Sequence, residues 1–158
     1  MTATVSAHEV IERFQHSAPV DVAGIAEALG LNLWESDDLP LHISGKLFKD
    51  PENGGTEGFS IIVRASDPYV RRRFTAAHEI AHFVLHRNRI GDSISDDEWY
   101  RSGLSSPEEI EANRFAARIL MPTHLVKKYA DVYDFNLSRL ARQFEVSEEA
   151  MSIRLKGL

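Results

Sequence analysis

Arg73-Phe74-Thr75-Ala76-Ala77-His78-Glu79-Ile80-Ala81-His82-Phe83-Val84-Leu85-His86 is the stretch on which the fold turns. From Phe74 onward it is apolar nearly all round, apart from Thr75, Glu79 and the two histidines at 78 and 82. A helix of that kind belongs in the middle of a domain. It is expected to run over about 68–86, with Asp67 as N-cap and Pro68 at the first helical position. Residues four apart stack on one helical face, so His78 and His82 can offer two imidazoles to one metal ion. Glu79 sits one residue on and can reach a water held on that metal. The plain alternative is two exposed histidines with a glutamate between them. The apolar setting counts against it, because unpaired imidazole and carboxylate groups are costly to bury.

Two histidines leave a zinc ion in need of a third protein ligand and an open position for water. No third histidine follows at the spacing HExxHxxGxxH, since residue 85 is Leu and residue 88 is Asn. His86 lies eight residues from His78, about 80° round the helix and two turns up, too far to share the ion. A carboxylate from another helix is the better choice. Glu108, Glu109 and Glu111 compete on the helix opened by Ser106-Pro107-Glu108-Glu109. That helix buries a stripe through Ala112, Phe115, Ala116 and Ile119. By the 3.6-residue period Glu108 and Glu109 fall on the buried side, and Glu111 swings toward Arg114 and Arg118 on the solvent side. Glu109 also shares a face with Asn113, which could steady its carboxylate. Glu109 is therefore favoured, with Glu111 and Glu108 open. Ser106 and Glu109 also have the spacing of a capping box, which would serve only to start the helix.

Around this helix the chain reads as one α+β domain, 1–158. Its 158 residues suffice for one core and are too few for two comfortable ones. Val10, Ile11 and Phe14 make a short helical stripe, and Val22, Ile25, Ala26 and Leu29 make another that ends at Gly30, a C-cap residue. A short strand is expected at 32–34. Alternation over 41–47 and 59–64 reads as two further strands around the turn-rich 50–58, giving a small antiparallel sheet. The polar, acidic stretch 88–106 reads as a long loop, of the sort that serves as a lid or binding element. Short helices are expected at 125–129, 137–144 and 147–155, so that about 123–158 forms a helix-turn-helix-like subregion.

Composition narrows the function classes. The formal charge is −6, which argues against a generic attraction to nucleic acid or anionic membranes. There is no cysteine, hence no disulfide and no thiolate metal site. The first residues show no basic n-region followed by an apolar run, and no apolar stretch approaches the roughly 20 residues that span a bilayer. A cytoplasmic protein is the simplest expectation.

The segments 73–82 and 109–122 resemble the two signature blocks of the ImmA/IrrE family of zinc metallopeptidases. Ser44-Gly45, the Ile61-Ile62-Val63 strand and the segment 140–155 extend the likeness, which covers about 19–155. The resemblance implies a zincin-like helix packed on the small sheet, with Zn2+ held gluzincin-fashion by His78, His82 and Glu109 and with Glu79 as general base. It also implies a protein substrate: known members cut repressor-type transcription regulators inside bacterial cells, and a repressor or antitoxin with a helix-turn-helix fits that pattern.

Such a site would hydrolyse an amide by metal assistance, with an oxyanion donor still to be supplied. His124, Tyr129 and Tyr100 are candidates that spacing does not separate. The substrate is expected to dock as an extra strand along the sheet, under 88–106. Two other functions compete. One is a protein that keeps its zinc but acts by gripping a regulator. The other is a DNA-binding module built on 137–155. Over 127–158, six basic residues stand against five acidic ones, a net of +1 that gives little phosphate attraction.

Overall fold

The computed structural model describes residues 5–89, 93–95 and 105–158. Two short helices, α1 (Ala7–Glu12) and α2 (Val22–Ala28), lead into β1 (Leu31–Ser36). Strands β2 (Gly45–Lys49) and β3 (Phe59–Arg64) precede the long helix α3 (Tyr69–His86). A 3-10 turn (Arg87–Arg89) and strand β4 (Ser93–Ser95) follow. Four helices complete the chain: α4 (Ser105–Leu120), α5 (Thr123–Val132), α6 (Leu137–Phe144) and α7 (Glu148–Lys156). The class is α+β, as expected.

The sheet has the order β1-β3-β2-β4 and is mixed. Strand β2 runs antiparallel to β3 (Gly45↔Val63) and to β4 (Lys46↔Ser95), whereas β1 runs parallel to β3 (Leu31↔Phe59). The two strands expected to pair antiparallel, β2 and β3, do so; β1 makes the sheet mixed. Alternation of side chains has a period of two whichever way a strand runs, so it carries no information about direction. Strand boundaries also shift. The second strand starts at Gly45 rather than residue 41, because His42 takes a left-handed φ of 71° and Ile43 N–H closes a turn on Pro40 C=O. Arg64 donates to the carbonyls of Pro40 and Ile43, tying that turn to the end of β3, while Leu41 is left exposed. The stretch 88–106 is not simply a loop: it contributes β4 to the sheet edge. Its remaining residues, 90–92 and 96–104, lie outside those described.

Helix α3 is the hub. It packs along α4 and against β2, β3 and α2. Ile80, Ala77 and Phe83 of α3 join Leu47 and Ile61 of the sheet, Ile119 and Leu120 of α4, and Phe144 and Met151 of the last two helices in a single apolar cluster. Its start differs from expectation. Pro68 itself is the N-cap, Tyr69 is the first helical residue, and Asp67 instead lies 3.8 Å from Arg71. Proline has no N–H to lose at that boundary, so it is tolerated there as readily as one position later.

Polar side chains set several of the other helix starts. Asp21, Asn136 and Ser147 each accept a hydrogen bond from the backbone N–H three residues on, opening α2, α6 and α7. Gly30 follows α2 at φ 83°, and a Cβ there would meet Thr56 Oγ1 at 2.5 Å, so glycine is needed at this stop. Glu145 ends α6 in the left-handed region at φ 53°, a conformation costing about 1 kcal/mol for a non-glycine residue. Helix α3 holds it: Arg73 donates to the carbonyls of Phe144 and Glu145, and Tyr69 Oη donates to Glu145 Oε2 at 2.9 Å. The α6–α7 turn is thereby fastened to the first half of α3.

Candidate metal centre

His78, Glu79 and His82 occupy the buried middle of α3, at 5%, 0% and 0% exposure. Burial of such groups costs several kcal/mol unless they are partnered. The partner comes from α4. Glu109, 5% exposed, places Oε2 at 3.1 Å from His78 Nε2 and Oε1 at 3.0 Å from His82 Nε2. The two Nε2 atoms lie 3.1 Å apart. Among the described residues these three form the one group of histidine and carboxylate side chains gathered closely enough to hold a metal ion. Glu108 and Glu111 stand outside it. Helix α4 already begins at Ser105, so Ser106 lies within the first turn rather than capping it.

The triangle suits a tetrahedral ion. With zinc–nitrogen and zinc–oxygen bonds of about 2.0–2.1 Å, ligand atoms sit about 3.3 Å apart along a tetrahedral edge. The three observed edges are 3.0–3.1 Å. The hydrogen-bond network around His82 points the same way. His82 Nδ1 lies 2.9 Å from His86 Nδ1, and His86 Nε2 lies 2.6 Å from Glu111 Oε1. A carboxylate only accepts, so His86 donates through Nε2–H, and the Nδ1 of a neutral His86 then accepts from His82 Nδ1–H. In that tautomer a neutral His82 turns Nε2, the nitrogen that can ligate, toward the Glu109 carboxylate. A cation shared by the three side chains would make that approach favourable.

Electrostatics agree with this. Burial pushes the His82 imidazole below its ordinary value of 6.5, favouring the neutral form that can ligate. Burial alone would raise Glu109, but the close approach of the His78 and His82 imidazoles outweighs it and holds the carboxyl down at about 2. The group is therefore ionised at neutral pH.

Glu79 is packed where β2 crosses α3. A Cβ added to Gly45 would lie 2.3 Å from Thr75 Cγ2 and 3.6 Å from Glu79 Cγ, so glycine permits this close approach. Other expectations change. Asn113 is exposed and does not bond Glu109, whose two oxygens both face imidazoles. Glu111 is on the exposed side, as its helical position requires, yet it reaches His86 rather than resting among Arg114 and Arg118. The His86–Glu111 pair is what the sequence reading missed; the spacing of four between His82 and His86 was its one signal. His124 contacts Gln15 C=O at 2.8 Å, and Tyr129 packs between Tyr133 and Phe144, so neither joins the cluster. Tyr100 lies outside the described residues.

The family model described as the IrrE N-terminal-like domain, peptidase M78, matches residues 26–156. The chain belongs to that family. A peptidase family and a buried His-His-Glu group are mutually consistent, and both imply a metal. Among solved structures, a Mycobacterium tuberculosis transcriptional regulator is similar, with a TM-score of 0.61 at 17% identity. The match covers 94% of this chain and 45% of that one, so this chain spans less than half the length of that protein. At that identity the likeness speaks for the fold. No curated protein matches. Among the described residues, no helix is long and apolar enough to cross a membrane.

Proposed function

We propose that this M78-family chain is a zinc endopeptidase acting inside the cell on a protein substrate, a transcription regulator of the repressor or antitoxin type. The observation that carries the reading is the approach of Glu109, on α4, to within 3.1 Å of both imidazoles on α3. His78, His82 and Glu109 would hold the ion. Bound there, zinc supplies a Lewis acid that polarises a carbonyl and makes a nearby water acidic enough to react near pH 7.

The remaining chemistry falls to the chain itself. Glu79 accepts the proton of the attacking water and returns it to the leaving amine, so one carboxylate serves as base and then acid. Its fully buried position keeps bulk water from competing for that proton. His86 and Glu111 act through His82: they fix its ring and hold the proton on Nδ1, so that Nε2 is the nitrogen that ligates. Strand β4 occupies the β2 edge over Lys46–Phe48, so a substrate strand would have to add at β1 or β4.

The test has two parts. Elemental analysis of the purified protein should find one zinc per chain. Intact-mass measurement of a co-incubated regulator should then show two fragments with zinc-loaded protein and none after chelation. A regulator that binds but stays uncut by the zinc-loaded protein, across presentation folded and unfolded, would favour the gripping role over hydrolysis.

A further inference from the structure

A groove of about 770 Å3 opens between the first half of α3, the middle of α4 and helix α7. It starts beside the proposed metal centre. Phe74, one turn before His78, and Asn113, one turn after Glu109, both line it. One helical turn is about 5.4 Å, less than two residues of extended polypeptide at about 3.3 Å each. A chain held with its scissile bond at Glu109 would therefore lay its next few side chains in this groove.

Its apolar lining includes Phe74, Met121, Val146 and Ile153, the last 64% exposed. Its rim is basic. Arg71, Arg114, Arg118 and Arg154 face it, against the one carboxylate of Glu149, in a chain whose overall charge is −6. Arg114 and Arg118 are exposed and make no ion pair among the described residues. Arg154 is pinned by donating to Met121 C=O at 2.9 Å and to Thr123 Oγ1 at 2.7 Å. Burial and the nearby charge of Arg118 lower its proton affinity, a repulsion that an anion between the two guanidinium groups would relieve. Guanidinium forks match carboxylates with paired hydrogen bonds.

Resting on the peptidase reading above, we infer that this groove binds the substrate beside the bond to be cut, and that it selects an extended segment carrying an apolar side chain flanked by aspartate or glutamate. Nucleic acid fits less well. The lining includes these apolar side chains, and the first turn of α7, the end that a recognition helix offers to bases, carries Glu148 and Glu149. The fastening of the α6–α7 turn to Tyr69 and Arg73 gives the groove a fixed far wall.

The test is fluorescence anisotropy with zinc-loaded Glu79→Gln protein, so that binding is read without turnover. The probes are labelled decapeptide pools in which Leu, Ile or Phe is flanked by Asp/Glu, by Lys/Arg or by Ser. The acidic pool should bind at least tenfold more tightly than the basic pool. Arg114→Glu with Arg118→Glu should abolish that preference, and Ile153→Ser should weaken the acidic pool, with zinc content and melting temperature unchanged. Arg114→Gln alone, a milder change, should reduce the preference part-way. Equal binding of the pools, or indifference to the charge reversals, would overturn the inference. Salt-dependent binding of a DNA duplex that those reversals abolish would assign the groove to nucleic acid instead. Each outcome is separable from the function itself: loss of pool preference with cleavage and zinc intact sinks the groove alone. Failure of zinc binding or cleavage with pool preference intact sinks the peptidase reading alone.

Discussion

His86→Leu isolates the part of the site that acts at one remove. His86 is 2% exposed and its Nδ1 lies 2.9 Å from His82 Nδ1, so the variant removes the acceptor of a proton on a fully buried ring. A buried donor left without its acceptor costs about 1–3 kcal/mol. Groups that orient a ligating histidine contribute about 10–100-fold in metal affinity, which converts to about 1.4–2.7 kcal/mol. The two estimates agree, and a 10–100-fold weaker zinc affinity is the expected result. Glu111, with a side chain 59% exposed, should matter less: Glu111→Gln keeps an acceptor oxygen for His86 and is expected to weaken zinc by only a few-fold. Competition against a chromophoric chelator of known affinity measures both, and the double variant should lose no more than His86→Leu alone because the two residues act in series. A folded His86→Leu protein that holds zinc within threefold of wild type would refute the proton relay, and with it the assignment of His82 Nε2 as the ligating nitrogen.

Glu79→Gln should retain full zinc and lose about 10^2–10^4-fold in kcat, measured on the cleaved regulator; undiminished turnover would remove Glu79 from the proton-transfer role. Gly45→Ala drives a Cβ to 2.3 Å from Thr75 Cγ2 and should destabilise by about 1–3 kcal/mol in denaturant melts, with Thr75→Ser restoring much of it. If Gly45→Ala alone melts like wild type, β2 does not need its close approach to α3. Acid should destabilise the metal-free protein in two stages. His82 is depressed below 6.5 when folded, so the unfolded chain takes up its proton first and stability falls as pH drops below 6.5. Glu109 is depressed from 4.5 to about 2, so its contribution is present above 4.5 and fades as pH falls toward 2. Thermal melts in chelator from pH 8 to 3 should show both, and Glu109→Gln should flatten the lower stage; melting temperatures that stay level between pH 7 and 4 would contradict the shifts.

How much was legible in the sequence depended on which period carried the information. The 3.6-residue repeat of α3 and α4 put His78 and His82 on one face and Glu109 on the buried side, and that is where these side chains lie. The two-residue repeat located β3 but was silent on the direction of β1. It also ran β2 too far, because Pro40 and the left-handed His42 interrupt a pattern that hydrophobicity alone would continue. Within the site, Glu111 was judged by exposure, and exposure does not forbid a long side chain from reaching inward to His86. The groove was invisible for a different reason: it is lined by residues from 70 to 157, and no local pattern reports that the α6–α7 turn is fastened across to Tyr69 and Arg73.

Crystals of the zinc-loaded protein, with anomalous differences collected on either side of the zinc edge, test the central claim most directly. A single peak bonded to His78 Nε2, His82 Nε2 and a Glu109 carboxylate oxygen is the expected result. A zinc peak ligated by other side chains, or a Glu109 carboxylate turned away from an ion held by the two imidazoles, would contradict it.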